Sequence, residues 1–299
     1  MRALLTAFSL NKPAFGIWLS SNSSATHARS VVQAAQSSRP NPTRNSPNPL
    51  SWVLIDCEHG LTSLVPGVAE CVAGVYGAAS ISKYNVSGNM TVVGANVPSV
   101  LVRIAAPAIA GPGSTSTTWQ IKQALDAGAL GVMVPMVSTV KQAVQVVSDA
   151  RFAPLGRRGF GNPYTPAIWG HSHIEEFVRE ANEHVQVMIQ IETKEGLENV
   201  RDLASVEGVD VLAIGPYDLS LALGYPPPSP DPHPEVEAQI QLIKDAAHLA
   251  GKKCLYYCIN GEQAAMRAKE GFDMICVTSD AGSMADGITM HMRKAMEGL

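Results

Sequence analysis

Apolar residues in this chain gather in short runs of strand length, and each run is apolar at nearly every position rather than at alternate ones. The runs read FGIWL (15–19), WVLI (52–55), SVLVRI (99–104), GVMVPM (131–136), VQVMIQI (185–191), VDVLAI (209–214), KCLYYCI (253–259) and DMICVT (273–278). Unbroken apolarity in a strand means burial on both faces, the situation of a parallel sheet under helices. Between the runs lie stretches of helical periodicity, among them TWQIKQALDAG, HIEEFVREANE, KEGLENVRDLASV and PEVEAQIQLIKDAAHLAG. Several of these end at Gly, as helix C-termini prefer. Eight strands alternating with helices is the count of an α/β (β/α)8 TIM barrel, here one domain over residues 1–299. An open doubly wound sheet is the alternative, and the lack of a G-x-G-x-x-G after any strand argues against it.

Direction along the chain sorts the long connections. The segments at 37–51 and 77–98 precede strands two and three, so they belong to the N-terminal face and read as surface decoration. The segments at 105–117 and 225–234 follow strands three and six, on the C-terminal face where barrel enzymes keep their sites.

Composition narrows the partners. The chain has 299 residues, 46% of them hydrophobic, and a net charge of −4 with no run of like charge, which excludes a nucleic-acid binder of the basic type. No apolar run reaches about 18 residues, so no membrane span is expected. The five cysteines form no C-x-x-C pair and are odd in number, which fits a reduced, cytoplasmic protein; Cys254 and Cys258 read as core. The N-terminal stretch has one Arg and no small-residue cleavage site, weak evidence for a mitochondrial leader.

Polar groups collect at the C-terminal ends of the strands. Asp56, Glu58 and His59 close strand two, Arg103 ends strand three, Gln190 and Glu192 end strand five, and Gly215-Pro216-Tyr217-Asp218 follow strand six. Glu192 and Asp218 are hard oxygen donors on adjacent strands, a pair suited to Mg²⁺ or Mn²⁺ with positions left open. A 2-oxo acid chelating that metal beside Arg103 would have its enolate stabilised, with His59 as the proton-transfer group. Each has a plainer reading: Glu192 and Asp218 as helix-terminus carboxylates, His59 as a structural His, Glu58 as a turn carboxylate. Arg103 is harder to explain away, because an unpaired buried guanidinium is costly. Asp126, late in a helix where it opposes the macrodipole, hints at a specific partner. His171 and His173 are weak metal candidates, and GRRGFG (156–161) reads as an anion loop or a turn.

At IDCEHG, QIETKEGLENV and AIGPYDLS the sequence resembles the class II pyruvate aldolases, the HpcH/HpaI aldolase and citrate lyase family that includes 4-hydroxy-2-oxoheptanedioate aldolase. The resemblance runs from FGIWLS to the last helix. It implies a metal-dependent carbon–carbon lyase that cleaves or forms 4-hydroxy-2-oxo acids through a pyruvate enolate. It implies Glu192 and Asp218 as ligands to Mg²⁺ or Mn²⁺, with Co²⁺ a further candidate. Gln190 and Arg103 would contact the 2-oxo acid, pyruvate or oxaloacetate. His59 would act as acid/base, supported by Asp56 and Asp126, and backbone amides of Gly215 to Asp218, with Pro216 and Tyr217 between them, would hold the carboxylate. It further implies a homo-oligomer, hexamer or trimer, with the C-terminal helix (about 280–299) exchanged between subunits. Departures fall on the acceptor side: Cys57 where Gly is usual, Tyr217 beside the metal, Tyr257 in the acceptor pocket, and a longer 105–117 loop.

Three other readings stand beside this one. They are an oxaloacetate decarboxylase or macrophomate synthase-like carbon–carbon-forming enzyme on the same site, a Schiff-base enzyme using Lys194, and a non-catalytic barrel subunit.

Overall fold

A computed structural model describes residues 2–38, 49–79, 83–84, 90–91, 97–106 and 116–298. The eight expected strands form: β1 (Ala14–Leu19), β2 (Trp52–Asp56), β3 (Ser99–Arg103), β4 (Gly131–Val134), β5 (Gln186–Ile191), β6 (Val211–Ile214), β7 (Lys253–Tyr257) and β8 (Met274–Ser279). They close into a parallel barrel in the order β1-β8-β7-β6-β5-β4-β3-β2. Two-residue strands at Lys83–Tyr84 and Met90–Thr91 pair outside it. Most of the connections at 37–51, 77–98 and 105–117 lie outside the described residues. No helix among the described residues is long and apolar enough to cross a membrane.

Continuous apolarity is explained by two cores. On β2, Val53 and Ile55 face the helical layer, while Trp52 and Leu54 face the barrel interior. The interior is filled by Leu54, Leu101, Met133, Met188 and Leu255, so it is packed rather than hollow. Trp52 lies under Gly16, where a Cβ would come within 2.0 Å of its ring, and its indole N–H donates to the Ala14 carbonyl at 2.9 Å. Gly16 is therefore required by a neighbour on the next strand.

The N-terminal stretch forms α1 (Ala3–Ser9), a short helix with no side-chain cap at its start. Leu4 and Ala7 join the interior cluster, so this apolar segment is consumed by the fold. The other helices are α2 (Ala25–Ser37), α3 (Gly67–Ala79), α4 (Ser116–Asp126), α5 (Val140–Ala150), α6 (Thr165–Trp169), α7 (Ile174–His184), α8 (Lys194–Glu198), α9 (Val200–Ala204), α10 (Pro216–Ala222), α11 (Pro234–Leu249), α12 (Gly261–Lys269) and α13 (Asp280–Met296). KEGLENVRDLASV is two helices instead of one. The break falls at Asn199, whose side-chain amide donates to the Ser138 carbonyl at 2.9 Å, a tertiary contact that periodicity does not reveal. Cys254 and Cys258 are fully buried in the helical layer, as expected of core residues.

Candidate active site

The C-terminal ends of the strands surround a cavity of about 360 Å³, within the usual range of small-ligand pockets, roughly 300–1,000 Å³. Asp56 and Arg103 stand opposite each other at the last paired position of β2 and β3. Arg103 donates from Nε to Asp56 Oδ1 at 2.9 Å and from Nη2 to Oδ2 at 2.6 Å, a bidentate pair buried on both sides. Asp56 Oδ1 also accepts from the backbone N–H groups of Glu58 and His59 at 3.0 and 3.3 Å. Burial alone would raise the Asp56 pKa; the Arg103 guanidinium, then the Glu58 amide and the Trp18 side chain, reverse that and hold it below the usual carboxylate value. The remaining guanidinium nitrogen, Nη1, lies 3.0 Å from Glu58 Oε2.

Glu58 is therefore more than a turn residue. Its side chain is 9% exposed, and His59 Nε2 lies 3.7 Å from the same Oε2. Burial raises its pKa, opposed by Arg103 and His59 and assisted by Asp56 and Asp218. The available signal was its place in the same turn as Asp56 and His59. His59 itself is largely exposed at the rim, free to reach a bound molecule or water.

Glu192 sits just past β5, two strands round the barrel from Arg103, and is 2% exposed. Its Oε1 accepts from the Met136 N–H at 2.8 Å, and the Gln190 side-chain amide donates to Oε2. Met136 adopts φ 58°, a left-handed conformation uncommon for a bulky residue, so the backbone donor is held at some cost in strain. Burial, together with Asp218 and Glu58 nearby, pushes the Glu192 pKa up to about 7 in spite of those hydrogen bonds. Gly215 completes the cradle, since a Cβ there would lie 2.1 Å from Glu192 Oε2. Asp218 lies in the first turn of α10, beside it. The buried Gln190 Oε1 has no hydrogen-bond partner among the described residues.

This donor set fits a divalent cation. Glu192, Asp218 and the unpartnered Gln190 amide oxygen are all hard oxygen donors, and among the described residues neither carboxylate forms an ion pair. His171, Glu176 and Glu180 form a separate cluster whose ligand atoms lie within 4.8 Å of one another. There the two imidazole nitrogens face different glutamates, at 3.5 and 3.1 Å, so the ring bridges two carboxylates rather than joining them round one point.

Four sequence features lie elsewhere or play another part. Asp126 is not brought to this mouth. It is the last residue of α4, which runs back from the C-terminal rim of β3 toward the opposite end of the barrel. There Arg158 Nη2 donates to its Oδ1 at 2.9 Å and Lys122 pairs with its Oδ2, and it lines a different cavity. GRRGFG is likewise committed within the chain, with Arg157 on Asp149 and Arg158 on Asp126. Lys194, the Schiff-base candidate, is exposed at the start of α8 and does not line the cavity. Cys57 packs half-buried against the outer core, its thiol pushed up to about 12 by burial and the adjacent Asp56; it is a space-filling group, inert as a nucleophile.

An aromatic wall completes the cavity. Trp18 from β1 meets Tyr257 from the end of β7 edge to face at 5.3 Å, and Tyr257 meets Tyr217 at 6.4 Å. The Arg103 guanidinium lies 5.1 Å from the Trp18 ring. Burial raises the Tyr257 phenol to about 12, so it is a neutral hydroxyl.

Fold and site together define a single (β/α)8 barrel with a carboxylate-rich polar cavity at the C-terminal ends of its strands. The chain belongs to the HpcH/HpaI aldolase/citrate lyase family, whose model matches residues 46–286. It is 35% identical over 166 residues to a hydroxypyruvate/pyruvate aldolase of Rhizorhabdus wittichii, covering 55% of this chain and 64% of that one. It is 48% identical over 107 residues to a 2-keto-3-deoxy-L-rhamnonate aldolase of Salmonella paratyphi B, covering 36% and 39%. The match thus spans less than two thirds of the length of these curated relatives. Among solved structures, an HpcH/HpaI aldolase from Desulfitobacterium hafniense superposes with a TM-score of 0.76 at 23% identity, covering 99% of this chain and 97% of that one. Macrophomate synthase superposes with 0.77 at 21%, covering 99% and 88%; at these identities the likeness is one of fold.

Proposed function

We propose that this chain is a divalent-metal-dependent pyruvate aldolase, cleaving or forming 4-hydroxy-2-oxo acids. The observation that carries the reading is Glu192, its pKa raised by burial with Asp218 and Glu58 nearby, cradled by Gly215 and two strands round the barrel from Arg103 of the Arg103–Asp56 pair. Supporting it are family membership and two relatives named as aldolases, one of them for pyruvate.

Glu192 and Asp218 would hold Mg²⁺, Mn²⁺ or Co²⁺, with Gln190 beside them. The bound ion would supply Lewis-acid stabilisation of enolate charge. Arg103, rigidly oriented by Asp56, directs its Nη1 edge toward the 2-oxo acid, with the backbone N–H groups of Tyr217 and Asp218 at the start of α10 receiving the carboxylate. In cleavage the C4 hydroxyl gives up its proton to His59, directly or through water. The C3–C4 bond then breaks, C4 leaves as the aldehyde, and the bond electrons become the pyruvate enolate. Protonation at C3 gives pyruvate, and addition is the same sequence reversed.

The chain acts as a homo-oligomer in which α13 packs on a second copy. Met284, Ile288, Met292 and Met296 repeat every fourth residue along that helix, and each is 55% exposed or more.

The test is deuterium exchange into the pyruvate methyl group, read by NMR, with Mn²⁺ supplied or removed by chelation. Exchange that needs metal and is lost in Glu192→Gln is the expected result. Exchange surviving full chelation, with a borohydride-trapped adduct, would overturn the proposal in favour of a Schiff base.

A further inference from the structure

The turn that carries His59 is fastened at both ends, and a different buried carboxylate stands behind each end. At the near end Asp56 Oδ1 accepts from the Glu58 and His59 N–H groups at 3.0 and 3.3 Å. At the far end the Leu61 N–H donates to the Ser20 carbonyl at 2.8 Å. Gly60 lies between the two holds. A Cβ there would come within 2.2 Å of the Asp56 carbonyl oxygen and 3.1 Å of the Ser20 Cα and carbonyl oxygen, so only glycine lets the turn close on both.

Ser20 lines the cavity just past the last paired residue of β1, where no strand partner takes its N–H. Asp280, the first residue of α13, supplies the missing acceptor, and its side chain is 1% exposed. Its Oδ1 accepts from the Ser20 N–H at 2.9 Å and from the Ser20 hydroxyl at 3.0 Å. Its Oδ2 accepts from the Ser21 N–H at 3.1 Å and lies 2.7 Å from Nε2 of His27, on α2. Burial by itself would raise the Asp280 pKa. The Ser20 amide, His27, the Ser21 amide and the Ser20 hydroxyl reverse that and hold it below the usual carboxylate value, so the group is an ion at neutral pH with both oxygens engaged.

We propose that Asp280 is a positioning residue for His59, acting through the Ser20 backbone, with His27 orienting the carboxylate. His59 stands at the rim with a largely exposed ring, so its placement depends on the backbone beneath it. With the Asp56 hold alone that backbone would be hinged at one end. The Ser20 carbonyl gives it a second fixed point, and Asp280 fixes Ser20. Because Asp280 also begins α13, the His59 turn is tied to the start of that helix. The role of His59 itself rests on the pyruvate-aldolase reading, whereas the hold on its turn is independent of it.

The experiment follows amide hydrogen–deuterium exchange over residues 57–64 by mass spectrometry, together with Mn²⁺-dependent cleavage of 4-hydroxy-2-oxopentanoate. Asp280→Ala is expected to speed exchange in that segment by about tenfold and to leave β5, residues 186–191, as in the wild type. Cleavage is expected to lose about tenfold in kcat with KM within about twofold, and to lose nothing further when Asp280→Ala is added to His59→Ala. Asp280→Asn keeps an oxygen for the Ser20 N–H and is expected to recover most of the protection. His27→Ala frees one carboxylate oxygen without touching Ser20. It is expected to shift the turn in the same direction by less, and it stands in should Asp280→Ala fold poorly. Turn exchange at the wild-type rate in whichever of Asp280→Ala and His27→Ala folds would overturn the proposal. A kcat loss equally large in the His59→Ala background would also overturn it, because Asp280 would then serve the fold and not His59. Faster turn exchange in a protein without metal-dependent pyruvate methyl exchange would remove the aldolase reading and uphold the hold on the turn.

Discussion

Asp56 and Arg103 are direct neighbours across β2 and β3, and the two hydrogen bonds between them leave the third guanidinium nitrogen facing the cavity and Glu58. The pair fixes the direction of a charge that would otherwise swing on a long side chain.

That geometry makes Arg103→Lys informative. A lysine keeps the charge but not the planar fork, so the exchange rate of the pyruvate methyl is expected to fall about 10²-fold or more. Arg103→Ala should lose as much turnover and also about 3–5 kcal/mol of stability, read by urea unfolding, because Asp56 remains buried without its partner. The lowered Asp56 pKa means its share of stability is present at neutral pH and is lost as pH falls through that lowered value. Wild-type turnover in Arg103→Lys would remove the directional role.

Glu192 predicts the opposite pH behaviour. Its pKa is raised, so the metal-free fold is favoured by its proton; that contribution is complete below the usual glutamate value of 4.5 and lost as pH rises through about 7. Metal-free Glu192→Gln should therefore gain on the wild type in stability progressively between pH 4.5 and about 7, and keep a constant lead of up to about 3 kcal/mol above that. Mn²⁺ affinity of the wild type should climb with pH up to about 7 and then level, with proton release visible by calorimetry in two buffers. A flat affinity profile would mean that the carboxylate is already ionised.

Asp126 is expected to act first through stability. Its carboxylate neutralises Arg158, whose side chain is 1% exposed and whose Nε has no partner among the described residues. Asp126→Ala should cost about 3–5 kcal/mol in urea unfolding. An unchanged unfolding midpoint with lost turnover would show a role that the fold of one chain does not contain.

The stripe on α13 predicts association. Ile288→Glu puts a charge in the middle of the exposed Met284–Met296 row. Sedimentation velocity should show the wild type as an oligomer and the variant shifted to smaller species. Identical profiles would argue that this face stays in water.

The barrel was legible in the chain because burial on both faces leaves a local mark, eight runs without polar alternation. The placement of Asp56, Arg103, Glu192 and Asp218 at the mouth was legible for a related reason. In parallel strands every C-terminal end falls on one side, so a polar residue after a strand has its address in the order of the chain. Asp126 shows where such reading fails: residue type and motif drew it toward the site, while the return direction of α4 carries it to the far end. Helix α1 was hidden because seven residues have little helical tendency until Leu4 and Ala7 have a barrel interior to enter. Asn199 was hidden because its partner, the Ser138 carbonyl, belongs to another loop.

What the sequence determined by itself, then, is the number of strands, their burial and the end of the barrel where chemistry gathers. Tertiary structure alone decided that Arg103 is shared between Asp56 and Glu58, that Glu192 is raised by burial and by Asp218, and that Trp18, Tyr257 and Tyr217 form one wall. Burial patterns follow neighbours along the chain. Hydrogen bonds, charge coupling and ring contacts follow distances of a few ångströms across strands, and those exist only once the barrel has closed.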